Sequence, residues 1–340
     1  MARLLALIGG MEAFVKPGQS VLVKPNLLSD CTPDEAVTTH PEVVRAVVRA
    51  VKQAGAKPWV ADSPSNAVHL QRVWEKTGME AICRAEDVPL VNLEKGGSEE
   101  FETRGIRFRI AKAVLQADAI VSLPKVKTHV LTGLTAGVKN MYGAVPGFQK
   151  TSLHKDYPRR DDFADLLVAV YSRAKPVLSI ADGVVGMEGN GPSGGTPVAL
   201  HFLAASDDAV ALDVVVARLL AWSSTACPAL PRPAAGMPAR PMSRASPSSA
   251  NAWRAWRRTN SGFLGRSRRS GSRRGLPGCS FQCCGTVLHS PASACSAASA
   301  CGPVPWVRSR SKPANGPCWP PGNASPVAVA MRCARPAPSR

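Results

Sequence analysis

Short β-branched runs that stop at polar residues, separated by segments of helical period, restrict this chain to a sheet whose strands end together. Val21–Val23 runs into Lys24, Pro25 and Asn26, and KPWVADSP runs into Asp62 and Ser63. AIVSL, beginning at Ala119, runs into Pro124, Lys125, Lys127, Thr128 and His129; VLSIADGVVGMEGNGPSGG runs into polar residues from Asp182 to Asn190. Between these runs, TTHPEVVRAVVRAVKQAG places apolar residues at helical spacing, with Thr39 or His40 able to cap, Pro41 at the first helical position and Gly55 to close. AVHLQRVWEKTG repeats the pattern up to Gly78, and DDFADLLVAVYSRAKP is an amphipathic helix opened by acids. MARLLALIGGMEAF gives a short helical start, VPLVNLE a further strand, and a helix runs from about Ala209 to Ala221 after HFLAASDD. The alternation predicts an α/β fold over residues 1–222, a mostly parallel sheet with flanking helices and right-handed crossovers.

In open sheets of this kind ligands bind at the carboxyl ends of the strands, so the four polar strand ends predict one site. Its centre is the stretch from Ala119 to Gly143, read as strand, basic loop and helix, with Gly133 and Gly137 loosening the backbone ahead of Lys139 and Asn140. Lys24, Lys125, Lys127 and Lys139 make the edge electropositive and suited to phosphate or carboxylate groups, and the loop Gly189–Gly195 lets backbone amides approach an anion. The residues assigned to catalysis are His129, Lys125, Asp182 and Glu188. Those assigned to ligand binding are Lys24, Asn26, His40, Asp62, Ser63, Lys127, Thr128, Lys139, Asn140 and Asn190. His154 is a further candidate for proton transfer or metal ligation, although for any one histidine a capping or hydrogen-bonding role is the plain alternative. GLTAGVK lacks the GxxxxGK[ST] spacing and no GxGxxG follows the first strand, so no nucleotide is expected.

Composition separates this body from the rest of the chain. All 24 Asp and Glu lie in residues 1–222 against 25 Lys and Arg, whereas residues 223–340 hold 17 basic residues and no acid, so the net charge of +18 belongs to the tail. The tail also holds 17 of the 30 prolines and 8 of the 10 cysteines without sustained period, and is expected to be disordered. No signal peptide or membrane-length apolar run is found, which reads as a soluble cytoplasmic protein. Cys31 and Cys83 are too few to suggest a disulfide framework.

The combination KPN, TTHP, ADSP, PKVKTH, GVKNMYG, the Phe163–Tyr171 helix, MEGNGP and SDD resembles the domain of unknown function 362 family over nearly all of residues 10–222. The resemblance implies the same α/β architecture, followed by two ferredoxin-type iron–sulfur motifs and hence a redox context. It implies no substrate. Two departures stand out: the usual first strand is short or missing before Met1, and the expected ferredoxin cysteines are absent. By this resemblance the enzyme class implied is an oxidoreductase; the residues alone do not decide whether the chain is an enzyme.

The tail cysteines do not fit the CxxCxxCxxxCP run that holds a four-iron cluster, so no cofactor is expected in the chain as written and no metal ligand is assigned. Read two nucleotides along, a codon ending in T followed by an Ala or Val codon becomes cysteine. Such pairs occur at Ser293-Ala294, Ser296-Ala297, Ser299-Ala300 and Pro303-Val304, and again at Asn323-Ala324, Pro326-Val327, Val329-Ala330 and Cys333-Ala334. Both sets have CxxCxxCxxxC spacing. The expectation is therefore a frameshift between Trp222 and Ser293, with two 4Fe–4S clusters and an electron-transfer partner in the in-frame form.

These features admit three functions. The first is a redox-linked protein binding a small anionic ligand at the Lys24, Lys125, Lys127, His129 edge. The second is non-redox proton transfer or ligase-like chemistry there, with structural clusters. The third, nucleic-acid binding through RAWRR and RSRRSGSRR, ranks last because the shifted frame accounts for the same basic residues. No membrane partner is expected.

Overall fold

Val21, Leu22 and Val23 are fully buried because the strand that carries them is hydrogen-bonded on both sides and covered on both faces. The computed structural model describes residues 1–64, 69–147, 149–220, 286–288 and 327–331. In chain order, helix α1 (Ala2–Ala6) precedes strand β1 (Ser20–Pro25), helix α2 (Pro41–Gln53), strand β2 (Lys57–Asp62), helices α3 (Leu70–Lys76) and α4 (Met79–Ala85) and strand β3 (Leu90–Asn92). A hairpin of β4 (Ser98–Thr103) and β5 (Ile106–Ala111) leads through α5 (Lys112–Leu115) to β6 (Ala119–Leu123), β7 (Lys125–His129) and β8 (Gly133–Thr135). Helices α6 (Gly137–Asn140), α7 (Gln149–Asp156) and α8 (Arg160–Arg173) come next. They are followed by β9 (Leu178–Glu188), β10 (Thr196–Ser206), α9 (Ala209–Leu219), β11 (Thr286–Leu288) and β12 (Val327–Met331).

The main sheet has the order β11-β12-β10-β9-β6-β1-β2-β3. Its β3-β2-β1-β6-β9 half is parallel, and β10, β12 and β11 add antiparallel strands at the other side. Alternation along β1 sorts the two faces. Val21 and Val23 join Leu4, Val44, Val47, Val48 and Val51 beneath α1 and α2, while Leu22 joins Val138, Phe163, Leu166 and Val170 beneath α6 and α8. Helix α2 forms as its sequence indicates: Pro41 opens it, the His40 side chain accepts the Glu42 N–H, and its five buried valines repeat at helical spacing.

Two expectations are corrected and one element is added. The segment Lys125–His129 is a strand rather than a loop, paired in parallel with β9 and antiparallel with β8. A basic strand is tolerated there because both buried ammonium groups find oxygen acceptors. The β4–β5 hairpin is an element that the sequence pattern does not assign; it turns at Arg104 and Gly105, both at positive φ, as a type I′ hairpin turn requires. Disorder of the tail does not hold for Val327–Met331, an apolar VAVAM run that pairs with the open edge of β10 and buries Val327, Ala328 and Val329. The remaining tail expectations, apart from β11, fall outside the described residues.

Candidate functional site

Where β1 and β2 end, the Lys24 Nζ lies 2.7 Å from Asp62 Oδ1, with both side chains buried. Asp62 Oδ2 also accepts the Leu27 N–H at 2.7 Å, which fixes the chain leaving β1. Gly143, in the 3-10 turn after α6, is pressed onto this pair: a Cβ there would collide with Asp62 Oδ1 and Lys24 Nζ. Burial lowers the Lys24 pKa, and Asp62 works against that shift.

A second buried pair stands at the junction of β7 and β9, Lys125 Nζ to Asp182 Oδ2 at 2.9 Å. Asp182 Oδ2 also accepts the His40 backbone N–H at 2.9 Å, so α2 is tied to the central strands at its first turn. Between the pairs, Asn140 Nδ2 donates to Ser122 Oγ at 2.9 Å and to the Lys24 carbonyl at 3.3 Å, and Asn140 Oδ1 accepts from Asn26 Nδ2 at 3.3 Å. Thr39 Oγ1 accepts the Asn26 N–H and donates to the Leu123 carbonyl. Asn26 Oδ1 and Thr38 Oγ1 are buried without a hydrogen-bond partner among the described residues.

Three further lysines have no carboxylate partner among the described residues. Lys127, 2% exposed, donates to the Val37 carbonyl at 2.5 Å; Lys150, 4% exposed, donates to the Ser63 carbonyl. Lys139 is half-buried, with its Nζ 5.8 Å from the Tyr142 ring centroid and 6.0 Å from that of Phe163. Burial pushes Lys127 down to about 7, and Lys139 and Lys125 reinforce that shift by like-charge repulsion. Burial likewise takes Lys150 to about 7 and, with Lys24, Lys139 to about 8. The edge thus holds an excess of buried positive charge whose protonation changes near neutral pH.

The other expected residues take different parts. Ser63 Oγ accepts the Gly147 N–H and donates to Glu94, so it braces the loop before Lys150. His129 Nδ1 accepts the Leu131 and Thr132 N–H groups at 3.1 and 3.3 Å. Burial, together with Lys139, His154 and Lys127, lowers its pKa to about 2, so it is a neutral turn cap. Thr128 Oγ1 accepts the Gly191 N–H, and Gly191 returns its carbonyl to Val130. The Gly189–Gly195 loop is therefore packed on β7 through Gly191, an amide that is not left open for an anion. Glu188 and Asn190 are exposed at the end of β9, unlike the buried lysines and their two aspartates.

Sequence reasoning missed Lys150, Thr38 and Asp213. Lys150 is one lysine in a polar segment, and only the docking of α7 buries it. Asp213, inside the apolar α9, accepts the Gly137 and Val138 N–H groups at 2.5 and 3.1 Å and so holds the start of α6, which carries Lys139 and Asn140. Its burial raises its pKa to about 7.

Among the described residues no group of three or more His, Cys, Asp or Glu could hold a metal ion. Their cysteines are half-buried Cys31 and buried Cys83, both free, and burial pushes the Cys83 thiol up to about 11. Two such thiols do not fit the four thiolates of a 4Fe–4S cluster.

The sequence signature of a domain of unknown function, DUF362, matches residues 21–218. The thylakoid-associated protein sll1697 of Synechocystis sp. is 39% identical over 228 residues, 67% of this chain and 71% of that protein. Among solved structures, the lactate racemase apoprotein of Thermoanaerobacterium thermosaccharolyticum has a TM-score of 0.39 at 15% identity, covering 58% of this chain and 50% of that one. A protein of Thermotoga maritima gives 0.39 at 14% identity, over 65% of this chain and 58% of its own. The chain thus spans half the length of the first solved structure and 58% of the second.

Proposed function

We propose, on the premise that this chain belongs to the DUF362 family, that it binds a small anionic molecule at the polar edge formed by β1, β2, β7, α6 and α7. The observation that carries the reading is the set of three lysines, Lys127, Lys139 and Lys150, that stand beside two already matched ion pairs without a carboxylate of their own among the described residues. Buried charge left unpaired is costly, and an anion would supply what these ammonium groups lack. The redox link belongs to this proposal through the family resemblance and the shifted-frame cysteine spacing, and the described residues carry no step of it. A cytoplasmic location also belongs to it, supported by the lack of any described helix long and apolar enough to cross a membrane. The relative's name points to thylakoids for that protein, so membrane and soluble fractions of the native cell should be compared.

A second reading is favoured by one feature. Lys127 and Lys150, held near about 7, are partly neutral at physiological pH and suited to accept a proton from a bound substrate, which makes a non-redox proton-transfer enzyme the alternative. Calorimetric titration of the full chain with inorganic phosphate tests the anion reading. Binding should weaken about tenfold or more in Lys127→Met, a loss of roughly 1.4 kcal/mol. Equal phosphate binding by wild type and variant would refute it.

A further inference from the structure

We infer that the ligand of this edge carries at least two negative charges on a compact group, a phosphoryl or a dicarboxylate, and binds by completing the hydrogen bonding of Lys127, Lys139 and Lys150. The inference rests on the anion reading and narrows it.

An ammonium group has three N–H bonds to give. Lys127 gives one to the Val37 carbonyl, Lys150 gives one to the Ser63 carbonyl, and Lys139 faces the rings of Tyr142 and Phe163. The acids nearby are already engaged. Asp62 is matched by Lys24 and Asp182 by Lys125, Asp213 is bound to the amides of Gly137 and Val138, and exposed Glu94 bonds Ser63. A monoanion offers charge enough to hold only one of the three groups protonated, whereas a dianion can hold two as ammonium. Thr38 supplies an independent sign of a polar ligand. Its hydroxyl is fully buried and unpartnered among the described residues, and it is the next residue after the carbonyl that holds Lys127. Asn26 Oδ1 is a second such atom, on the residue that bonds Asn140.

Charge also fixes what accompanies binding. Because burial keeps Lys127 and Lys150 near about 7, both are largely neutral at pH 8. An arriving dianion favours their charged forms, so binding takes up protons.

Calorimetry on the full chain with acetate, malonate and pyrophosphate, at pH 8 in two buffers of different ionisation enthalpy, tests the inference. Lys127→Met, Lys150→Met and Lys139→Met are compared with wild type. The tail's 17 basic residues are present in every variant, so the reading is the difference between them. Lys139 is half-buried, which keeps the test open should a buried substitution disturb folding by circular dichroism. Malonate or pyrophosphate should bind wild type about tenfold or more tightly than acetate, with proton uptake, and each variant should lose most of that advantage. Whichever of the two wins separates a dicarboxylate from a phosphoryl ligand. Equal binding of acetate and the dianions, weakened alike by the substitutions, would leave the anion reading standing and overturn this one. Binding of no probe altered by any substitution would remove both.

Discussion

Lys24 and Asp62 form an ion pair of 2.7 Å at the ends of β1 and β2, with neither side chain reaching solvent and the backbone of Gly143 closing over them. Burial alone would favour a neutral lysine, so the pair persists because each partner makes the other's charge tolerable. Asp62→Ala should therefore lower stability by about 3–5 kcal/mol, since it leaves Lys24 buried and alone. Lys24→Met combined with Asp62→Leu should recover most of that loss. Urea unfolding of wild type, the single variants and the double variant makes the comparison, and strictly additive losses would show that the two residues are not coupled.

The unpaired lysines give the ligand-free protein a pH signature. Lys127 and Lys150 ionise near about 7 in the folded chain and near 10.5 in the unfolded one. Between those values the unfolded chain holds more protons, so their contribution to stability rises with pH; below about 7 both states are protonated and the full cost remains. Thermal unfolding should shift upward from pH 7 to pH 9.5. Lys127→Met should be more stable than wild type at pH 7, by up to a few kcal/mol, and rise less across the window. A flat wild-type profile would count against buried, unpaired ammonium groups.

Most of the parallel core was legible because it obeys local rules. The valine stripe of α2 and the polar stops after β1, β2 and β6 show in the letters themselves. What the letters did not carry is partner identity. Lys125–His129 looks like a solvated loop until Asp182 and the Val37 carbonyl, distant in sequence, are brought to it. Lys150 and Asp213 have no local signal, since their role depends on where α7 and α9 dock. His129 drew notice for its chemistry, yet its ring is committed to the backbone of the following turn.

That commitment makes His129 a test of its own. With a folded pKa of about 2 against 6.5 for a free histidine, its imidazole should show no titration in NMR spectra between pH 5 and 8. The unfolded chain binds the extra proton between those two values, so the His129 contribution to stability is present above about 6.5 and lost as pH falls. His129→Asn retains a side-chain acceptor for the turn and should keep more stability than His129→Ala. A midpoint near 6.5 in the NMR titration would contradict the buried cap.

The tail sets two demands on the same residues. In the printed frame, Val327–Met331 is an apolar strand that pairs with β10 and buries Val327, Ala328 and Val329 against the core. In the shifted frame, the pairs Pro326-Val327 and Val329-Ala330 become cysteines of the second CxxCxxCxxxC run, so the segment serves as a strand or as cluster ligands but not as both. Composition favours the shift, because the printed residues 223–340 contain no acid, whereas β10 favours the printed strand by offering it an open edge. Tryptic mass mapping of the product of the native gene decides between them. On the frameshift reading, peptides beyond the shift, which lies between Trp222 and Ser293, should depart from the printed sequence, and the purified protein should show visible iron–sulfur absorption. Peptides spanning Val327–Met331 as printed would overturn that reading. Deleting those five residues should then destabilise the domain and promote association through the uncovered edge of β10.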